Sequence, residues 1–158
     1  LAKERYDNFN NFNIINCDNE KFLTGKNINN YDLIICFDTL EHMNLNSAMI
    51  VLKSLKKINF KFLYINIPNE LGPSILIKNF GSMIMGYQRH KEYSLLETIY
   101  ASFFLLNKIP IHNKNHKGFD WRKIRRQLCA LYDIKVHSNP FKFLPSLISP
   151  SIFFICKK

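Results

Sequence analysis

The sequence predicts an α/β fold in which a mainly parallel sheet with helices on both faces ends in an antiparallel hairpin. Apolar, strand-like runs alternate with segments of helical periodicity, which is typical of a sheet built through crossover helices. The run Leu33–Phe37 is almost continuously apolar, as expected of a parallel strand covered on both faces. The last two strand-like runs are joined by a short Pro-rich segment, which favours antiparallel pairing.

The first half of the chain contains three strand-like runs and one helical segment. The runs are Phe12–Cys17, Tyr31–Phe37 and Phe60–Pro68, each followed by polar residues. Residues 44–58 place apolar side chains at helical spacing and lysines at 53, 56 and 57. Cations near the end of a helix interact favourably with its dipole, so this segment is predicted to be a helix that ends near residue 58.

The second half is predicted to add two further helices and the hairpin. Residues 71–117 form a helical insertion or cap, within which 94–109 is one helix that begins at Ser94, with Glu97 three positions on as its capping partner. Residues 120–132 form an amphipathic helix, and 134–138 and 152–158 are the closing strands.

Composition limits the chain to one packed domain. It has 158 residues, 47% of them hydrophobic and 14% aromatic, which excludes intrinsic disorder. No run reaches the roughly 20 apolar residues of a spanning helix, so a cytoplasmic protein is expected. The four cysteines form no C-x-x-C pair, which indicates reduced thiols rather than a disulfide framework.

Charge is distributed unevenly along the chain, whose net charge is +10. Residues 1–50 hold seven acidic and four basic side chains, whereas 51–158 hold five acidic and 18 basic ones. Such asymmetry indicates nucleic acid, membrane lipid or an anionic substrate as a partner. The alternative is a lysine-rich composition that makes every surface basic, since no run of five basic residues occurs.

Polar residues follow three of the predicted strands. Asp18 and Asn19 end the first, Asp38 and Thr39 the second, and Asn66, Asn69 and Glu70 surround the end of the third. Because the carboxyl ends of parallel strands meet at one edge of a sheet, where ligands bind, these three sets are expected to lie side by side.

The segments around these strand ends resemble class I S-adenosylmethionine-dependent methyltransferases of the small-molecule, type 11-like kind. "YDLIICFDTLEHM" is similar to the family's fourth motif, "IINCDNEKF" to the motif at the end of its third strand, and "FLYINIPNE" to its fifth strand and exit. The resemblance is strongest over residues 12–70. It implies a Rossmann-like sheet and S-adenosylmethionine as the cofactor.

The resemblance also implies roles for individual residues. Asp18 and Asn19 would contact the adenine, and Asp38, Thr39 and Leu40 would line the cofactor pocket. His42 would be the catalytic residue, which takes a proton from a substrate hydroxyl. The residues implied at the substrate are Glu41, Asn69, His90 and Tyr93. No metal is implied, and His112 and His116 have no third ligand near them in the sequence.

The sequence departs from the family pattern in two places, and the first of them leads to an expected truncation. The glycine-rich first motif is absent, and "KKINFKF" replaces the usual turn before the fifth strand. Leu1 opens in the middle of a helical pattern, so the chain is expected to be a partial methyltransferase domain that lacks the first strands. Residues 1–158 alone are expected to bind S-adenosylmethionine poorly, and a titration that shows micromolar binding would overturn this.

Two further segments have open interpretations. The apolar content of 71–106 indicates a greasy acceptor, contact with a membrane surface, or core packing alone. "WRKIRRQ" could bind phosphate through Arg122, Arg125 and Arg126, or be the solvated face of an amphipathic helix.

The sequence thus predicts methyl transfer to a small-molecule, glycan or lipid-linked acceptor, with nucleic acid an unexpected partner. The alternatives are a non-catalytic Rossmann-like binding or scaffold domain and a basic nucleic-acid-binding domain. The oligomeric state stays open.

Overall fold

The structure confirms an α/β fold with one mixed sheet. The computed structural model describes residues 30–86, 93–110 and 117–158. In this part of the chain the strands are β1 Tyr31–Phe37, β2 Phe60–Pro68, β3 Asp133–Asn139 and β4 Ser151–Lys157, in the order β1-β2-β4-β3. β1 and β2 are parallel, and β4 is antiparallel to both of its neighbours. The predicted strand over 12–17 lies outside the described residues.

In the described residues, four α-helices and two short 3₁₀ turns connect these strands. The helices are α1 Leu45–Lys57, α2 Pro73–Ile84, α3 Leu95–Ser102 and α4 Trp121–Leu131, and the turns are Leu40–His42 and Leu106–Lys108. The helix expected over 94–109 is shorter than predicted. It ends at Ser102 because Phe104 adopts a left-handed conformation with φ 61°, which a helix cannot continue through.

The main core lies between α1, α4 and one face of the sheet. Leu52 of α1 and Leu128 of α4 are buried against Ile65 of β2 and Phe154 of β4. Side-chain caps mark where α1 and α4 of this core begin. The Asn44 side chain accepts the Ser47 N–H at 2.8 Å, and Asp120 accepts the Arg122 N–H at 3.1 Å.

The opposite face of β1 is exposed. Leu33, Ile35 and Phe37 were expected to be buried on a doubly covered strand, but each is exposed because α1 and α4 pack on the other face. Across the sheet this face continues as a row of aromatic contacts, with the Phe153 ring centroid 5.7 Å from Phe37 and 5.4 Å from Tyr64.

The part of 71–117 that the structure describes has a small core of its own. Ile75 of α2 packs with Tyr93, Ala101 and Ile109, and the Gly72 N–H donates to the Ala101 carbonyl at 3.0 Å. A division of the chain into a cap and a main body stays a prediction. Within the described ranges, every helix is too short or too polar to cross a membrane.

Candidate functional site

The loops after β1 and β2 lie next to each other at the edge of the sheet formed by the carboxyl ends of these two strands. The two strands are parallel, and Phe37 at the end of β1 is opposite Asn66 near the end of β2. Asp38 and the segment 66–70 therefore share this edge, as their positions in the sequence predicted. The third predicted contributor, Asp18 with Asn19, lies outside the described residues.

The chain turns sharply at Asp38. This residue is exposed and has φ 47°, a left-handed conformation in which aspartate is among the few non-glycine residues found regularly. The Thr39 hydroxyl donates to the Phe37 carbonyl at 2.7 Å and closes the turn. Residues in such conformations cluster at binding and catalytic sites. The turn presents the Asp38 carboxylate at the open end of the sheet.

The 3₁₀ turn that follows divides its three residues between core and solvent. Leu40 packs into the main core, Glu41 is only 5% exposed, and His42 is exposed beside them. The His42 N–H donates to the Thr39 carbonyl at 3.3 Å. Leu40 thus anchors the turn and leaves His42 accessible at the same edge as Asp38. The cofactor contact of Leu40 and the substrate contact of Glu41 stay predictions.

Cys36 lies just before this turn and is half-buried. Burial raises the pKa of its thiol, a hydrogen bond with Thr39 opposes the rise, and the charge of Glu41 adds to it. Because the thiolate is the nucleophilic form of cysteine, this residue is poorly suited to be a nucleophile at neutral pH.

The loop after β2 is fixed by Asn69. Its side chain is fully buried, and the amide nitrogen donates to the carbonyls of Ser146 and Ser149 at 2.8 and 3.0 Å, while the oxygen accepts the Leu71 N–H at 3.1 Å. The neighbouring Glu70 is also buried and pairs with Lys78 at 2.8 Å. Asn69 therefore positions the β3–β4 loop against the candidate site, and its contact with a substrate stays a prediction.

Tyr93 is buried in the small core of the 71–117 segment. Its hydroxyl accepts the Gly118 N–H at 2.8 Å, and the Lys117 ammonium lies 5.6 Å from the ring centroid. Its expected neighbour His90 lies outside the described residues, so a shared acceptor-binding face stays a prediction. In the described ranges, no group of three or more histidine, cysteine or carboxylate side chains is placed to hold a metal ion.

A basic cavity lies beside this edge, between α4, β3 and the β3–β4 loop. Its volume is about 650 Å³. The lining residues are Trp121, Arg122, Arg125, Arg126, Cys129, Val136, Ser146 and Leu147. We call this the arginine pocket. The sequence marked its three arginines as a phosphate-binding candidate, but only the folded chain brings Ser146 and Leu147 to them.

The fold is similar to that of a solved methyltransferase. The crystal structure of the small RNA methyltransferase HEN1 matches 81% of this chain with a TM-score of 0.51 and 15% sequence identity, and this chain covers 14% of that one. A second solved structure, of the Pnkp1/Rnl/Hen1 RNA repair complex, is matched over 100% of this chain and 28% of its own, with 14% identity and a TM-score of 0.48, too low to support a shared fold. No protein-family model and no curated protein sequence matches the chain.

The comparison corrects one expectation. A small-molecule acceptor, with nucleic acid an unexpected partner, is wrong, because the solved methyltransferase with the similar fold is named for its action on small RNA. Neither comparison bears on the type 11-like subclass or on an N-terminal truncation, which stay predictions.

Proposed function

We propose that this chain forms part of an S-adenosylmethionine-dependent methyltransferase whose acceptor is RNA. The observation that carries the proposal is the pair of adjacent strand ends, where the left-handed turn at Asp38 and the loop after β2 follow neighbouring parallel strands. The likeness of the fold to an RNA methyltransferase supports it, as does the net charge of +10, because positive surfaces attract phosphate backbones.

The residues at this edge suit the polar groups of the cofactor. The turn supplies an exposed carboxylate at Asp38 and a hydroxyl at Thr39 beside an open strand end, so these residues would hold the amino-acid portion. Asp18 and Asn19 would hold the adenine. When bound, the cofactor supplies a methyl group on a positively charged sulfur, which an acceptor must approach in line.

His42 would accept a proton from the RNA group that is methylated. It is exposed, and the buried Leu40 fixes the turn that carries it. Glu41, Asn69, His90 and Tyr93 would shape the acceptor side, Asn69 by holding the β3–β4 loop in position.

The test is transfer of a radiolabelled methyl group from S-adenosylmethionine to a single-stranded RNA oligonucleotide. The protein should include any residues that its gene encodes before Leu1. We expect Asp38→Ala to weaken cofactor binding by about tenfold or more, since it removes a charged hydrogen-bonding partner. His42→Ala should lower kcat by about 10²-fold, as loss of a general base does, with little change in cofactor binding.

Asp32→Ala is the matched control, because Asp32 is an exposed carboxylate near the opposite end of β1, paired with Lys61 at 2.5 Å. It should leave both quantities unchanged. Native protein that binds RNA but transfers no methyl group would refute the proposed activity and favour a non-catalytic binding domain.

A further inference from the structure

The arginine pocket presents two open positive charges and a third that is held in place. Arg122, Arg125 and Arg126 lie on one face of α4, whereas Trp121, Ile124 and Leu128 on the other face are buried. Arg122 donates hydrogen bonds from Nε and Nη2 to the Asp120 carboxylate, at 2.8 and 3.0 Å. Arg125 and Arg126 are exposed and form no ion pair within the described part of the chain.

The Arg122 side chain is held in place by contacts with Asp120 and Phe104. Its guanidinium lies 4.7 Å from the centroid of the Phe104 ring as well as bonding to Asp120. The position of Phe104 is in turn constrained by Gly72, where a Cβ atom would come within 2.7 Å of that ring. Through Arg122 and Phe104, the first turn of α4 is therefore packed against Gly72 in the loop after β2.

The pocket lies at the same edge of the sheet as Asp38. β3 runs in the direction of β2, because β4 is antiparallel to both, and only Tyr132 separates the end of α4 from the start of β3. α4 therefore begins near the end where β2 finishes. Direct contacts agree with this, since Ser146 and Leu147 accept hydrogen bonds from Asn69 and Ser74 at 2.8 and 3.2 Å.

The loop that lines the pocket also exposes two aromatic side chains. Phe141 and Phe143 lie on the β3–β4 loop with ring centroids 5.7 Å apart, and Phe143 is 82% exposed. Lys142 lies between them in the sequence and is exposed. Exposed aromatic rings beside cationic groups suit single-stranded nucleic acid, whose unpaired bases stack on the rings while its phosphates meet the cations.

We propose that the arginine pocket and the Phe141–Phe143 segment form a binding surface for single-stranded RNA. Arg125 and Arg126 contact the phosphodiester backbone, in which their guanidinium forks match pairs of phosphate oxygens. Phe143 stacks on a base. The surface rests on the proposed RNA acceptor and extends that function, because it would hold the strand beside the edge where Asp38 and His42 lie.

The test is direct binding of a fluorescently labelled single-stranded RNA, measured by anisotropy over a range of salt concentrations and without cofactor. Arg125→Ala combined with Arg126→Ala should weaken binding by about tenfold or more. It should also reduce the slope of log affinity against log salt by about 1.4, since each lost phosphate contact on a single strand removes about 0.7.

The matched control removes the same charge elsewhere. Lys53→Ala combined with Lys56→Ala takes two exposed cations from α1 and should change affinity by about twofold or less. Phe143→Ala should weaken binding about fivefold or more through lost stacking, whereas Phe80→Ala, which removes a 62% exposed ring from α2, should not.

The outcomes separate this surface from the proposed activity. Equal losses in the arginine and lysine variants would overturn the binding surface, even if methyl transfer to RNA is observed. Selective loss in the arginine variant, with no methyl transfer by the native protein, would support the surface and reject the enzyme. Native protein that binds no RNA would overturn both.

Discussion

Asn69 shows how a single buried polar side chain can hold two loops together. It is fully buried, yet each of its amide atoms has a backbone partner in the loop after β2 or in the β3–β4 loop. Buried polar groups are tolerated when they are satisfied in this way. The sequence marked Asn69 as a polar residue after a strand and, through the resemblance, as a substrate contact. It did not predict the anchoring role, because the partners Ser146 and Ser149 are far along the chain.

Asn69→Ala should lower the free energy of unfolding by about 2–4 kcal/mol, because it leaves buried backbone groups of both loops without partners. Chemical denaturation measures this change. Asn107→Ala, at an exposed position in the second 3₁₀ turn, is the control and should stay within about 0.5 kcal/mol of the native protein. Equal stability of the two variants would contradict the anchoring role.

At the scale of one element, the N-terminus of α3 is stabilised by a cap that the sequence predicted and by an ion pair that it did not predict. Ser94 and Glu97 form the reciprocal capping box. The Glu97 carboxylate also pairs with Lys117 at 2.7 Å, and Lys117 is only 7% exposed. The hydrogen bond from Lys117, followed by those at Ser94, holds the pKa of Glu97 below its ordinary value of 4.5.

Glu97→Gln keeps a capping side chain but removes the charge, so Lys117 is left as a buried cation. We expect a loss of about 1–3 kcal/mol at neutral pH. Because the pKa of Glu97 is lowered by folding, its stabilisation is complete above pH 4.5 and is lost as the pH falls below that value. Denaturation of both proteins from pH 7 to pH 3 should show the difference shrinking.

Lys117→Met provides the control for the Glu97 experiment. In that background Glu97→Gln should have a much smaller effect, since the partner charge is gone. A stability difference that stays constant from pH 7 to pH 3 would show that the ion pair is not its source.

At the scale of the whole molecule, β4 links the two halves of the sheet. It lies between β2 and β3 although it is the last strand in the chain, so the final residues complete the core. Phe154 is its largest fully buried side chain. Contacts between such distant segments form only when the chain folds as one unit.

Phe154→Ala should reduce the free energy of unfolding by about 3–5 kcal/mol through lost burial and the remaining cavity. Urea denaturation followed by both fluorescence and circular dichroism should show one shifted, coincident transition. Phe143→Ala removes the same side chain from an exposed loop and should shift the midpoint very little. A loss confined to one probe would contradict a single cooperative core.

The sequence by itself determined most of the helices and strands and where several of them begin, but not the end of α3, which was predicted at residue 109 and lies at Ser102. Apolar periodicity, the cap at Ser94 and the polar residues after β1 and β2 are local features, and such features mark where a helix or strand begins or stops. The sequence also suggested that Asp38 lies at a ligand-binding edge, because strand direction alone implies it.

Only the tertiary structure decided which segments meet. It placed β4 between β2 and β3, brought the β3–β4 loop onto Asn69, and turned Arg125 and Arg126 toward a cavity beside that loop. It also left the outer face of β1 exposed, where the sequence predicted burial on both sides. An apolar pattern shows which face of a helix or strand favours burial. Which segment covers that face is decided by packing between residues far apart in the chain.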